Sequence, residues 1–201
     1  MALFKNKPQQ TSVSPRQSLE IKYNSARGNL LMVIVFTVVN ILLLVTNSNS
    51  YFLFSAFVPY ILVENGWYYT GKYPVEAYGE YYSDMAFAAD VVLYVLIAVA
   101  VIVLAVYFLC WLFSKKQRAG WIVVALVFFA LDTVGYLLYA FMYGMLDMSS
   151  VIDILFHAWV IYYLVGGLVA NAKLKKLPAE EELPEEAAQE PAVAEETNIN
   201  E

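Results

Sequence analysis

Asp132 and His157 are the side chains best suited to proton chemistry here, and each falls inside a long apolar run. A carboxylate near the middle of residues 121–144 costs roughly 2.5–3.5 kcal/mol to place at that depth in a bilayer, so a partner or a task is expected for it. A histidine beside it would either relay a proton or sit as a satisfied bundle residue. Helical spacing widens the group. Asp132 and Tyr136 are four apart, as are Asp153 and His157, which puts each pair on one helix face. Asn40 lies in another apolar run, and Asp90 near the start of a third. The candidate intramembrane polar site is therefore Asp132, His157, Asn40, Tyr136, Asp153 and Asp90, and its chemistry would be proton or cation handling. The plainer expectation is that such groups join helices, at about 0.6 kcal/mol per contact. Asp90, Asp153 and Asp147 suit helix-start positions, where the N-terminal dipole favours an acid.

Four runs must position these residues: 29–46, 86–113, 121–144 and 151–170. Each has the ~17–25 apolar residues of a spanning helix. The whole chain of 201 residues is 61% hydrophobic and 15% charged, with a mean hydropathy of +0.58. That excludes an ordinary soluble domain, which is closer to half apolar and a quarter charged. A fifth run, 51–63, holds Pro59 and is short for a span, so an interfacial or re-entrant segment is expected, lying near the headgroup plane.

Basic residues choose the orientation. Lys5, Lys7, Arg16, Lys22 and Arg27, then Lys115, Lys116 and Arg118, then Lys173, Lys175 and Lys176 all fall on one side of a four-span chain, leaving Lys72 on the other. The positive-inside rule makes that side cytoplasmic. The expected fold is an all-α integral membrane protein of four spans with both termini cytoplasmic, multi-pass in the cell membrane. Residues 1–27 form a partly disordered N-terminal segment, 28–172 the bundle, 47–85 an outer segment, and 173–201 a basic and then Glu-rich disordered tail. Nine Glu lie after Leu177; without them 12 basic residues face 9 acidic ones, so the formal −6 belongs to the tail.

Counting inward at ~1.5 Å per residue puts Asn40, Asp132 and His157 about 18, 16 and 21 Å from the cytoplasmic face, at one depth. No ionisable group lies in the cytoplasmic half of a span, which suggests an outward polar cleft. Eight of the sixteen tyrosines fall between Tyr51 and Tyr82, as an interfacial belt or a cage for a cation or sugar. Gly166, Gly167 and Ala170 permit a close helix approach.

Catalytic signatures are missing. The chain has no GxSxG, HExxH, P-loop or GxGxxG motif, and the lone Cys110 and lone His157 exclude disulfide, CxxC and His-rich metal sites. No catalytic residue, metal, cofactor or nucleic-acid partner is expected. The lipid bilayer is the expected environment, with room for a second copy or a membrane-protein partner. The leading expectation is a non-enzymatic accessory or interaction subunit whose polar layer specifies packing. The alternative is a small proton- or cation-coupled transporter or sensor using Asp132 and His157.

Overall fold

Ser14 opens the first helix. Its hydroxyl accepts from the Gln17 amide while the Gln17 side chain accepts from the Ser14 amide, and Pro15 takes the first helical position. These are the first residues of a computed structural model that describes 14–178 apart from Asn49, Leu53 and Leu146. The expectations for 1–13 and for the Glu-rich tail lie outside the described residues.

Five α-helices follow in order: α1 Pro15–Val45, α2 Phe57–Tyr69, α3 Asp90–Phe113, α4 Ala119–Met142 and α5 Met148–Leu174, with a 3-10 segment at Val75–Asp84 between α2 and α3. Among the described residues there is no strand. α1, α3, α4 and α5 are long and apolar enough to cross a membrane. The first expected span, 29–46, is the second half of a longer helix that the Ser14 cap starts earlier.

The core is narrow. Tyr23, Ala26, Leu30 and Val33 of α1 meet Tyr107 and Cys110 of α3, Ile122, Ala125 and Phe129 of α4, and Phe156, Val160 and Leu164 of α5. Outward-facing positions stay apolar, including Ile102, Leu131, Phe141 and Tyr162. So much exposed apolar surface suits lipid rather than water. α1 and α5 pack closest at Gly167, where a β-carbon would overlap the Ala26 methyl. Gly166 faces open space instead, so only Gly167 and Ala170 of the small-residue patch are packed.

One end of the bundle gathers the basic residues. The turn between α3 and α4 carries Lys116 and Gln117 in the left-handed region, at φ 54° and 57°. It is tied to α1 by Tyr23 Oη donating to the Ser114 carbonyl (2.7 Å) and Arg27 Nε donating to Ser114 Oγ (3.0 Å), and to α5 by Asn171 Nδ2 donating to the Gln117 carbonyl (3.0 Å).

The other end is less regular. The apolar run 51–63 does not form one segment lying across the bundle. Of the described residues there, 50–52 and 54–56 are non-helical, Phe52, Ser55 and Ala56 bond to α1, and the helix begins only at Phe57. Pro59 is compatible with this because it sits in the first turn, where a missing N–H removes no intrahelical bond. α2 then packs along α3, closest at Gly66, where a β-carbon would come within 2.9 Å of Leu93 Cδ1.

Candidate functional site

A helix start leaves backbone N–H groups without intrahelical partners. At α2 the capping residue is Ala56, whose methyl cannot accept a hydrogen bond. The acceptors come instead from other helices. Asp132 of α4 takes the Phe57 N–H on Oδ2 (2.9 Å) and the Val58 N–H on Oδ1 (2.7 Å). Thr37 Oγ1 of α1 takes the Ala56 N–H (2.8 Å) and donates to the Val33 carbonyl (2.7 Å). Asn40, one turn further along α1, takes the Phe52 N–H on Oδ1 (2.8 Å) and donates through Nδ2 to the Phe52 carbonyl (2.6 Å) and Ser55 Oγ (2.9 Å).

Three side chains thus satisfy four backbone amides of one segment. Asp132, Thr37 and Asn40 are all buried. The start of α2 also carries the positive end of its dipole, which favours oxygen acceptors there. Gly135, one turn beyond Asp132, leaves the space that Val58 occupies: an added β-carbon would sit 3.6 Å from Val58 Cγ2.

His157 completes the arrangement. Its ring is slotted between Phe129 (centroids 5.1 Å apart, planes at 18°) and Tyr136 (5.3 Å, 4°), which flank Asp132 on one face of α4. His157 Nδ1 lies 2.8 Å from the Asp153 carbonyl oxygen, which can only accept, so Nδ1 carries a hydrogen. Nε2 is enclosed and faces Asp132 Oδ2 at 3.5 Å. That is long for a hydrogen bond, so the two groups are neighbours rather than a bonded pair.

The six expected residues are only partly assembled. Asp132, His157 and Tyr136 meet directly. Asn40 bonds to Phe52 and Ser55, whereas Asp132 bonds to Phe57 and Val58. Asp153 contributes its carbonyl to His157, and its half-buried side chain is not what His157 touches. Asp90 stands apart, paired with Lys72 at 2.8 Å beside the far end of α2. Asp147 caps α5 through the Ser150 amide. Thr37, Ser55 and Phe129 were missed. Thr37 was legible, three residues before Asn40 on the same helix face; Ser55 and Phe129 carried no signal.

An open cleft of about 530 Å³ lies beside this layer, between the end of α1, Ser48, Ser50 and Tyr51, α2 and the start of the 3-10 segment. Asn40 reaches its lining, but Asp132 and His157 do not. Its aromatic walls are Tyr51, Tyr60 and Tyr73, with Tyr51 and Tyr60 edge to face at 5.1 Å. Burial pushes the Tyr51 and Tyr73 hydroxyls up to about 12, and pushes the Glu64 carboxyl on α2 above its ordinary value. Among the described residues no cluster of three or more His, Cys, Asp or Glu is placed to hold a metal ion. Comparison with protein-family models, curated proteins and solved structures finds no match for this chain, so its geometry alone carries the functional argument.

Proposed function

We propose that this chain is a non-enzymatic, four-span membrane protein, an accessory or interaction subunit of the cell membrane with both termini cytoplasmic. Its buried polar layer is structural: it docks a re-entrant half-helix. The observation that carries this reading is that both oxygens of Asp132 accept backbone N–H groups from the start of α2.

Depth and charge supply the rest. Asp132 is 13 residues into the 24-residue α4, so about 20 Å along a helix of about 36 Å. In this reading the chain leaves α1 at the outer surface, α2 starts at that depth beside Asp132, and the chain returns over the 13 residues of α2, about 20 Å. Non-helical backbone at such depth is tolerated only where protein groups satisfy it, and Thr37, Asn40 and Asp132 do so here. The basic end of the bundle faces the cytoplasm by the positive-inside rule. The exposed apolar faces of α3, α4 and α5 meet lipid and a partner, either a second copy or another membrane protein.

A transport role for Asp132 and His157 would need a path to them. His157 is covered on both ring faces, Nδ1 is held by a carbonyl, and each Asp132 oxygen is held by an amide of α2. In vesicles carrying proton- and cation-sensitive dyes, wild type, Asp132→Asn and His157→Ala should match protein-free vesicles. Flux through wild type that Asp132→Asn abolishes would overturn the reading in favour of a coupled transporter. Sidedness is tested with single cysteines at positions 72 and 115 in a Cys110→Ala background, expected to react with impermeant thiol reagents from opposite faces.

A further inference from the structure

A second cleft, also about 530 Å³, opens between α1 and α5 at the basic end of the bundle. Lys22 lines it from α1 and Lys173 from α5, together with Ser25, Val165, Gly166 and Val169, and none of its lining residues is acidic. Among the described residues, the two ammonium groups have no ion pair or hydrogen bond, whereas Arg16 is paired with Glu20 and Arg27 bonds to Ser114. Gly166 keeps the cleft open: an added β-carbon there would meet nothing within 4 Å, while at Gly167 it would overlap the Ala26 methyl.

The Ala26–Gly167 contact sets the two helices in register. Lys22 lies four residues from Ala26 and Lys173 six from Gly167, so about 6 and 9 Å toward the basic end. The two lysines therefore stand at nearly one height. Lys22 precedes the apolar run 29–46 and Lys173 follows the run 151–170, which is headgroup level for a helix that spans the bilayer. Tyr162, Tyr163 and Val165 belong to the apolar run itself, so the cleft crosses from headgroup to hydrocarbon. Along α1, Leu19, Lys22, Ser25, Asn29 and Met32 fall three or four apart, on one helix face. Asn29 and Met32 line a further cleft of about 480 Å³ with Phe54, Phe156 and Trp159, apolar apart from the Trp159–Asn29 hydrogen bond of 3.1 Å. An apolar track thus leads from the lysines toward mid-membrane.

Two unpaired ammonium groups at one end of such a track match a molecule with an anion at one end and hydrocarbon at the other. Lysine is a compact charge with three donors and suits a phosphate. Basic pockets between membrane helices on the cytoplasmic side recognise anionic lipid headgroups in this way. A second copy fits less well. An isologous contact through this face would set the lysines of the two copies against one another, and like charges there disfavour docking.

We propose that the α1–α5 cleft binds one anionic phospholipid of the cytoplasmic leaflet, its phosphate between Lys22 and Lys173 and an acyl chain running past Gly166 toward Trp159. The choice of leaflet rests on the orientation proposed above; the site itself does not, and it is independent of Asp132.

The test titrates full-length protein in detergent with dioleoylphosphatidylglycerol or dioleoylphosphatidylcholine and reads native mass spectra, which count lipids and protein copies together. One phosphatidylglycerol should bind per chain, at least ~10-fold tighter than phosphatidylcholine. Lys22→Gln and Lys173→Gln should each weaken phosphatidylglycerol ~5-fold and leave phosphatidylcholine unchanged. Lys116→Gln, at the same end but outside the cleft, should change neither. Gly166→Leu fills the cleft and should remove the tight site; if it does not fold by thermal melting, the lysine variants decide. Equal affinity for the two lipids would overturn the proposal, as would an equal loss in Lys116→Gln. So would displacement of the lipid by soluble glycerol phosphate, or a lipid-free dimer that Gly166→Leu dissociates. A reversed orientation by cysteine labelling would overturn the leaflet alone, because affinities in detergent do not depend on sidedness.

Discussion

Replacing Asp132 by Asn separates a docking carboxylate from a costly one by the sign of its effect. In the structure each carboxylate oxygen accepts one amide, from Phe57 at 2.9 Å and Val58 at 2.7 Å. Asn retains a single acceptor oxygen and turns an NH2 toward the other amide. One charge-assisted bond, about 1.5–3 kcal/mol, is lost, and a buried N–H is left unpaired at about 1–3 kcal/mol. The two terms overlap, so ~3–5 kcal/mol is expected in total. For a chain of this size each kcal/mol moves Tm by about 2–4 °C, giving a fall of roughly 10 °C. Trp67 on α2 offers an intrinsic fluorescence probe for melting in detergent. Asp132→Leu removes both acceptors and should melt lower still. Were Asp132 an unpaired charge facing lipid or a cleft, neutralising it would instead stabilise by up to ~3 kcal/mol. A Tm for Asp132→Asn equal to or above wild type would refute the reasoning.

The remaining expectations concern the same segment and the helix contacts around it. Asn40→Leu orphans the Phe52 amide and should cost about 2–4 kcal/mol, with Thr37→Val smaller, both read as Tm shifts. Gly167→Ala should cost about 1–3 kcal/mol because the new methyl meets Ala26, whereas Gly166→Ala should be neutral; equal effects would contradict the α1–α5 packing. Glu64 has a raised folded-state carboxyl value, so its contribution to stability is fully present below about pH 4.3 and is lost as pH rises through the raised value. Glu64→Gln should therefore match wild type in acid and melt higher at pH 7; parallel Tm–pH curves would contradict this.

The four long helices were legible because apolar length and charged flanks are local signals. A residue count along each helix gave Asn40, Asp132 and His157 an expected common depth, and that expectation was readable from the sequence. What they do at that depth was not. The main partners of Asn40 and Asp132 are backbone amides of Phe52, Phe57 and Val58, and an amide looks the same at every position of a sequence. The helix Phe57–Tyr69 was obscured because its cap comes from Asp132, 75 residues away, rather than from Ala56. Asp90 was grouped with the others for lying at the edge of an apolar run, but its pairing with Lys72 depends on how the chain turns after α2. Gly166 and Gly167 are adjacent and alike in composition, and only the rotation of α5 against α1 tells them apart.

The central claim is that the Asp132 carboxylate holds the Phe57 and Val58 amides, and amide hydrogen exchange reads those two groups themselves. In detergent or nanodiscs both should exchange slowly in wild type. In Asp132→Asn they should exchange at least ~10-fold faster while amides in the middle of α3 keep their protection, a local opening rather than global loss. Unchanged protection of Phe57 and Val58 in Asp132→Asn would contradict the account.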